Sequence, residues 1–159
     1  IEFLIKLKKT LPICSLSQFN IAIHDFVRFI KETGHMSGEV NKLETYVEVT
    51  RVNARLLISK FQTYVLRDVF VSNILRNNVN YFLNFDIVKE YKIDDNNIAL
   101  LIDKVRDLVK ELVEENNTKN IDSTFNWLKI LCFHAYSDIG INASEKFKSL
   151  YIESNSSST

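Results

Sequence analysis

Four carboxylates on one face of a predicted helix are the residues best suited by type and spacing to hold a divalent cation. They recur every three or four positions: Asp103, Asp107, Glu111 and Glu114. Paired carboxylates bind metals in helical bundles. Here Arg106 follows Asp103 by three positions and Lys110 follows Asp107 by three, which is typical of ion pairs on a solvated helix face. We therefore predict no metal site.

Histidine and cysteine are the other candidates for chemistry, and their spacing is unfavourable for it. His24, His35 and His134 lie far apart, and neither Cys14 nor Cys132 has a histidine or carboxylate at ligand spacing. Cys132 and His134 belong to a strongly apolar helical segment, so we interpret them as core residues. The chain also lacks a glycine-rich phosphate loop and a Gly-x-Ser-x-Gly elbow. It is predicted to be non-enzymatic, with no catalytic residue and no cofactor.

The elements that carry these residues are predicted to be helices. The chain has only three glycines and one proline in 159 residues, which is too few for the tight turns of an all-β sandwich or barrel. A hydrophobic content of 46% and a charged content of 25% are typical of a folded domain with a sizeable core. We expect an all-α fold, a compact bundle of about six to seven helices.

Residues 34–38, Gly-His-Met-Ser-Gly, divide the chain into two parts. They contain two of the three glycines and the sole methionine. One interpretation is that a coding sequence begins at Met36 behind remnants of a cleaved affinity tag, so that residues 1–33 are an appended or fused segment. The other is a natural flexible linker. Either way we predict an N-terminal helical segment over 1–33, a flexible junction over 34–38, a helical domain over 39–153 and a disordered tail over 154–159.

The N-terminal segment contains a short predicted helix over 2–9, which ends before Pro12, and then a clearly amphipathic helix over 17–32. The apolar residues of the second helix repeat at intervals of three and four, and we predict that they form the face a ligand helix would present to a groove: Phe19, Ile23, Phe26, Val27 and Ile30.

Residues 39–69 keep helical spacing over several turns, and 70–83 continue as helix, either bent from the first or after a break near 77–78. A strand over 46–52 is the alternative, because this stretch is rich in β-branched residues. No second strand candidate exists to pair with it, so we favour helix. A short helical piece follows at 86–91, and a strongly amphipathic helix over 97–114 has capping side chains at 94–96.

The next predicted helix begins after a cap at Asp122 or Ser123 and runs to about residue 137. It is apolar on nearly every side, so it should be the central element, with Trp127 and Leu131 as buried core anchors. Gly140 is expected to end it in a left-handed conformation. Residues 142–145, Asn-Ala-Ser-Glu, are expected to form a capping box for a last helix ending at Glu153.

Charge limits the classes of partner. Formal net charge is zero, with 11 basic and 7 acidic residues in 1–80 against 9 and 13 in 81–159. A chain with this charge balance lacks the dense basic surface that is typical of nucleic-acid binders. No apolar run reaches the roughly 18 residues of a membrane span. Two isolated thiols are typical of a reducing compartment, so we expect an intracellular protein of the cytoplasm or nucleus.

Two hypotheses of function remain. The first is a protein–protein interaction module, an adaptor or scaffold subunit of a larger complex, that binds an amphipathic helix in an apolar groove. Under this hypothesis the apolar face of 17–32 is the face that a ligand helix bound in the groove would present. The alternative for this segment is that the first two helices are native and only complete the core. The alternative is a nucleic-acid-associated helical domain, whose contacts would be four cations on the helix over 39–69: Arg51, Arg55, Lys60 and Arg67.

Overall fold

The computed structural model describes residues 14–35 and 39–156 of the chain. These residues form an all-α bundle, as predicted. Seven of its helices have seven or more residues and two are shorter. In chain order the nine helices of the described ranges are α1 (Ser15–Glu32), α2 (Val40–Val47), α3 (Leu56–Tyr64), α4 (Asp68–Leu75), α5 (Val79–Asn84), α6 (Ile87–Glu90), α7 (Asn96–Glu114), α8 (Thr118–Ile139) and α9 (Ile141–Ser156).

Helix α8 lies at the centre of the bundle, as its apolar composition predicted. It contacts α1 most extensively, and it also packs against α3, α4, α7 and α9. Leu131 and Cys132 on this helix are fully buried. Since a helix that is apolar on every side must be covered on every side, the other helices are arranged around it.

The two strongly amphipathic helices form where their apolar stripes predicted them. In α7, Asp95 caps the N-terminus by accepting hydrogen bonds from the backbone N–H groups of Asn97 and Ile98, at 3.1 and 3.0 Å. The stripe of α7 is buried throughout: Ile98, Leu101, Ile102, Val105, Leu108, Val109 and Leu112. In both α1 and α7 local periodicity alone determines which face enters the core.

The prediction of one continuous helix over 39–69 is wrong, because the α-helix is interrupted twice, over 48–55 and over 65–67. After α2 a 3₁₀ turn covers Glu48–Arg51, and α3 starts only at Leu56. The β-branched residues that made a strand conceivable here lower helix propensity instead. The Thr50 hydroxyl donates to the carbonyl of Val47 at 2.8 Å, which stabilises the tight turn. The predicted break near 77–78 is confirmed, with Asn77 at a φ of 53°.

The ends of the last two helices differ from prediction. Helix α8 starts at Thr118, capped by Asn117, whose side chain accepts from the N–H of Asn120 at 3.1 Å. The cap expected at Asp122 or Ser123 is therefore wrong. Asn116, at a φ of 57°, lies in a short turn directly after α7, and α8 therefore begins about one helical turn before its predicted start.

Gly140 ends α8, as expected, but at a φ of 145° and a ψ of −176° it is extended and not in the left-handed helical conformation that was predicted, and α9 starts immediately after it. The Gly140 carbonyl accepts from the N–H of Ser144 at 3.0 Å, so 142–145 lie inside the helix and the expected capping box is not formed. Helix α9 continues to Ser156, so 154–156 are helical and not a disordered tail. The predicted helix over 2–9 and the last residues of the predicted tail, 157–159, lie outside the described residues, as do 36–38 of the junction.

Candidate functional site

The five residues predicted to form a ligand-like face all lie in one apolar interface. Their side chains are exposed by no more than 2%: Phe19, Ile23, Phe26, Val27 and Ile30. Helix α1, which carries them, lies along α8 and is flanked by α2 and α3. We call the surface formed by α2, α3 and α8 the α1 groove. An amphipathic helix seated in an apolar groove is therefore present within the molecule itself.

Aromatic contacts occur at two places along this interface. The ring of Phe19 meets that of Phe61 in α3 edge to face, with centroids 5.3 Å apart. The ring of Phe26 stacks on Trp127 in α8 at 6.4 Å. These contacts add to the burial of apolar area, which is the main stabilising contribution in such an interface.

Polar contacts also join α1 and the turn after it to neighbouring elements. Lys31 Nζ lies 3.5 Å from Glu44 Oε2 of α2, and three further contacts, between residues more distant in the sequence, were not found by sequence reasoning. The Asn20 side-chain amide donates to the Ala54 carbonyl at 2.9 Å, and His24 Nε2 lies 2.9 Å from Thr50 Oγ1. Beyond the end of α1, His35 Nε2 lies 2.7 Å from Glu115 Oε1. The partners are 26 to 80 positions apart, so no local pattern indicates them.

The two predicted core anchors differ in burial. Leu131 is fully buried, as expected. The prediction that Trp127 is buried at the centre of the fold is wrong, since its side chain is half-buried and packs against the outside of the core. The physical reason is its neighbours. Phe26 of α1 stacks on one face of the indole, and the rest of the side chain is partly exposed.

Part of the core is built from residues of 39–156 alone, and it is continuous with the part that packs on α1. Phe82 and Phe125 meet edge to face at 5.4 Å, and Phe70 contacts Phe82 at 6.0 Å. Phe133 and Phe147 meet at 5.8 Å where α9 packs on α8. This part of the core lies among α4, α5, α7, α8 and α9, so the walls of the α1 groove have apolar support of their own.

A second concave surface, open to solvent, lies between α2 and α7. We call it the α2–α7 pocket; it has a volume of about 600 Å³. Its lining combines apolar and polar side chains from four elements: Asn41, Lys42, Thr45, Tyr46, Val49, Leu56, Asn97 and Leu100. The sequence offers no signal for it, because the contributing residues are up to 59 positions apart.

The four cations considered for nucleic-acid binding all have intramolecular partners. Arg51 pairs with a glutamate of its own turn, and Arg55 donates two hydrogen bonds to Asp138 at 2.7 and 2.9 Å. Lys60 pairs with Asp95. The guanidinium of Arg67 lies 5.1 Å from the ring centroid of Tyr91. They also lie on different elements, because the long helix expected to carry them is broken.

The candidates for metal binding and nucleophilic chemistry are dispersed. Within 14–35 and 39–156 no three histidine, cysteine, aspartate or glutamate side chains come together as a metal site. Asp103 lies 3.9 Å from Arg106, as expected, whereas Asp107 pairs at 3.6 Å with Lys104 and not with Lys110.

Burial keeps the side chains of Cys132 and His134 uncharged near neutral pH. Both lie in the core, as predicted. Burial raises the pKa of the Cys132 thiol and lowers the pKa of His134 to about 4, so both groups are neutral near pH 7.

Helices in the described part of the chain are too short or too polar to cross a bilayer. No protein-family model matches the chain, and no curated protein or solved structure shows significant similarity to it.

Proposed function

We propose that this protein is a non-enzymatic interaction module, an adaptor or scaffold subunit of a larger complex, that binds an amphipathic helix in an apolar groove. The observation that carries the proposal is the burial of α1 against its neighbouring helices. Its whole apolar face is buried against α8, α2 and α3, through residues at the i, i+3, i+4 and i+7 spacing of helix-in-groove recognition.

The position of α1 in the chain supports this interpretation. It is joined to the rest of the fold after Glu32 through a short segment that contains Gly34 at a φ of 77°. Its polar contacts with the rest of the fold are few, and the ring pairs Phe82–Phe125 and Phe133–Phe147 join residues outside α1. A helix held mainly by one apolar face can be exchanged for another helix with the same spacing of anchors.

Tethering determines how tightly a partner must bind. A helix joined by a short linker has an effective concentration on the order of 1 mM. A partner helix of equal intrinsic affinity at about 10 μM would then occupy only about 1% of the grooves. Partner helices therefore need higher affinity than α1, or a condition that weakens the contacts of α1.

The test is to cut the chain between Gly34 and Gly38 at an inserted site for a sequence-specific protease. Under the proposal, the cut protein stays folded after the released N-terminal fragment is separated from it, and a synthetic peptide spanning 15–33 then binds to it at micromolar to nanomolar affinity. Binding is measured by size-exclusion chromatography and by the fluorescence of Trp127.

Two matched peptides control for non-specific apolar binding. Ile23→Asp places a charge at a fully buried position and should abolish rebinding, whereas Ile21→Asp changes a side chain that is 55% exposed and should not. If the cut protein unfolds or aggregates, 1–33 are part of the structural core and the proposal loses its main support.

Localisation in the cytoplasm or nucleus is part of the same proposal. Its support is that Cys14 and Cys132 are both free thiols, one exposed and one buried, as is usual in a reducing compartment.

A further inference from the structure

One flank of α1 carries a row of hydrogen-bond donors beside its apolar face. The donors are Asn20, His24 and Lys31. They are four and seven positions apart, and residues at these intervals lie above one another on one side of an α-helix. We call these three side chains the donor row.

The wall beside this flank supplies an oxygen atom for each donor. The three oxygens belong to α2, to the 3₁₀ turn after it and to the loop before α3, and we call them the acceptor row. The pairs and the distances between their atoms are Asn20 Nδ2 with the Ala54 carbonyl oxygen at 2.9 Å, His24 Nε2 with Thr50 Oγ1 at 2.9 Å, and Lys31 Nζ with Glu44 Oε2 at 3.5 Å.

All three oxygens of the acceptor row face α1 as acceptors. A backbone carbonyl and an ionised carboxylate can only accept hydrogen bonds. The Thr50 hydroxyl has one proton, which it donates to the Val47 carbonyl at 2.8 Å. Thr50 Oγ1 therefore accepts from His24, whose Nε2 carries a proton in this contact. The acceptor row thus requires donors on the helix that lies against it.

Asn20 shows which half of an amide this wall can use. Its Nδ2 is paired, whereas its Oδ1 is buried with no hydrogen-bond partner among the described residues. An aspartate at this position would have the same shape, but it would place a charged oxygen against the Ala54 carbonyl. The lost hydrogen bond and the partly buried charge would both oppose binding.

The order of the pairs determines the direction of the helix. Along α1 the donors run from 20 to 31, while their acceptors run backwards from 54 to 44. Helix α1 is therefore antiparallel to α2 and the turn after it. A helix bound in the reverse direction, with its apolar face still in the groove, would turn its donors to the opposite flank and away from the acceptor row.

We infer that the α1 groove selects partner helices by hydrogen-bond donors on one flank, and that it admits them only antiparallel to α2. With the first apolar anchor, Phe19 in α1, at position i, the donors stand at i+1, i+5 and i+12. Amide, histidine and basic side chains suit these positions. Aspartate and glutamate are rejected there, because two acceptors would face each other. The inference rests on the proposed function, since it specifies the helix that replaces α1.

The first experiment uses the uncut chain and measures how often α1 leaves its groove. Hydrogen exchange of backbone amides, followed by mass spectrometry, reports the opening of α1 and of α7 separately. Asn20→Asp should raise the opening of α1 at least about tenfold. Gln18→Glu is the matched control, because it also converts an amide to a carboxylate but lies roughly 200° around the helix from Asn20. It should change the opening by less than about twofold.

A charge exchange tests the far end of the donor row. Lys31→Glu should raise the opening of α1 about two- to fivefold at low salt, and adding Glu44→Lys should reverse most of that rise. Both effects should fade at about 1 M salt, because the two side chains are 58% and 41% exposed. Loss of packing at Lys31 alone would not be reversed by the second substitution.

The second experiment measures the selection of a partner. The chain is cut at the inserted protease site and both fragments are kept together, so that no residue is removed. Three unlabelled peptides spanning 15–33 then compete with a fluorescent parent peptide for the groove: the parent sequence, Asn20→Asp and Gln18→Glu. The Asn20→Asp peptide should require a concentration at least about tenfold higher than the other two.

Equal opening of α1 in Asn20→Asp and Gln18→Glu would overturn the inference, and so would full opening by Lys31→Glu that Glu44→Lys leaves unchanged. If peptides exchange but Asn20→Asp competes as well as Gln18→Glu, the inference fails and the proposed function stands. If no peptide exchanges, or if the amides of α1 and α7 open together, the proposed function fails and the inference fails with it.

Discussion

Phe26 of α1 stacks on Trp127 of α8, with the two ring centroids 6.4 Å apart and the ring planes inclined by 28°. Phe26 is fully buried, whereas Trp127, the only tryptophan of the chain, is half-buried at the edge of the bundle. The fluorescence of this indole therefore reports directly on whether α1 occupies its groove.

We expect Phe26→Ala to be the more damaging of the two truncations. Removing a fully buried phenylalanine costs about 3–5 kcal/mol. Trp127→Ala should cost less, because part of the indole surface is already in contact with water. Urea unfolding of both variants, followed by circular dichroism, measures the two free energies. A larger loss for Trp127→Ala would contradict the packing described here.

The two thiols should react at very different rates. Cys14 is exposed, and hydrogen bonding from the backbone N–H of Ser17 lowers its pKa, which increases the thiolate fraction near neutral pH. Cys132 is fully buried and its pKa is raised. In the native protein, iodoacetamide should modify Cys14 quickly and Cys132 only on unfolding, as mass spectrometry of digested samples would show.

The variant Cys14→Ser supplies the control for this reactivity. It should show no fast modification, and the remaining slow modification should accelerate with urea in step with global unfolding. Fast modification of Cys132 in this variant would mean that α8 is not covered as the structure indicates.

Stability should fall in mild acid because of His134. Burial lowers its pKa from the ordinary value of 6.5 to about 4, and its Nδ1 has no hydrogen-bond partner within the described ranges. Between these two values the unfolded chain binds a proton that the folded protein excludes. The contribution of the neutral ring is therefore intact above pH 6.5 and is lost as the pH falls towards 4.

From pH 7.5 to pH 5 the free energy of unfolding should drop by about 2 kcal/mol on account of this residue alone. His134→Gln replaces the ring by a side chain that does not titrate, so the drop over the same interval should shrink by that amount. Urea titrations of both proteins at the two pH values measure it. An identical pH dependence in the variant would show that His134 is not the cause.

Sequence reasoning predicted α1 and α7 well because their information is local. In each helix one apolar stripe at intervals of three and four is enough to specify the buried face, and the Asp95 cap lies next to the helix it stabilises. Helix α8 was assigned correctly as the centre, but its uniform apolarity could not indicate which residues would lie at the edge. That is why the burial of Trp127 was overestimated.

The errors concern features that depend on distant residues. The bend after α2 is fixed in part by the contact between His24 and Thr50, which are 26 positions apart. The α2–α7 pocket appears only when α2, the 3₁₀ turn, α3 and α7 come together. An unpartnered hydroxyl such as that of Tyr46 is a property of the packed structure, and no sequence pattern indicates it.

The joint between α8 and α9 should depend on Gly140. Its φ of 145° lies in a region that residues with a Cβ rarely adopt, and no atom lies within 4 Å of the position that a Cβ would take. Gly140→Ala should therefore cost about 1–3 kcal/mol through backbone strain alone, since there is no steric clash to add.

Asn142→Ala distinguishes a direct joint at Gly140 from the capping box that the sequence predicted at 142–145. Because Asn142 lies exposed inside α9, alanine should leave stability unchanged or raise it by about 0.5 kcal/mol, whereas loss of a genuine cap would lower it by about 1 kcal/mol. Thermal unfolding of the two variants beside the parent protein decides between these results. A stable Gly140→Ala variant together with a destabilised Asn142→Ala variant would place the start of α9 after residue 142 and contradict the direct joint.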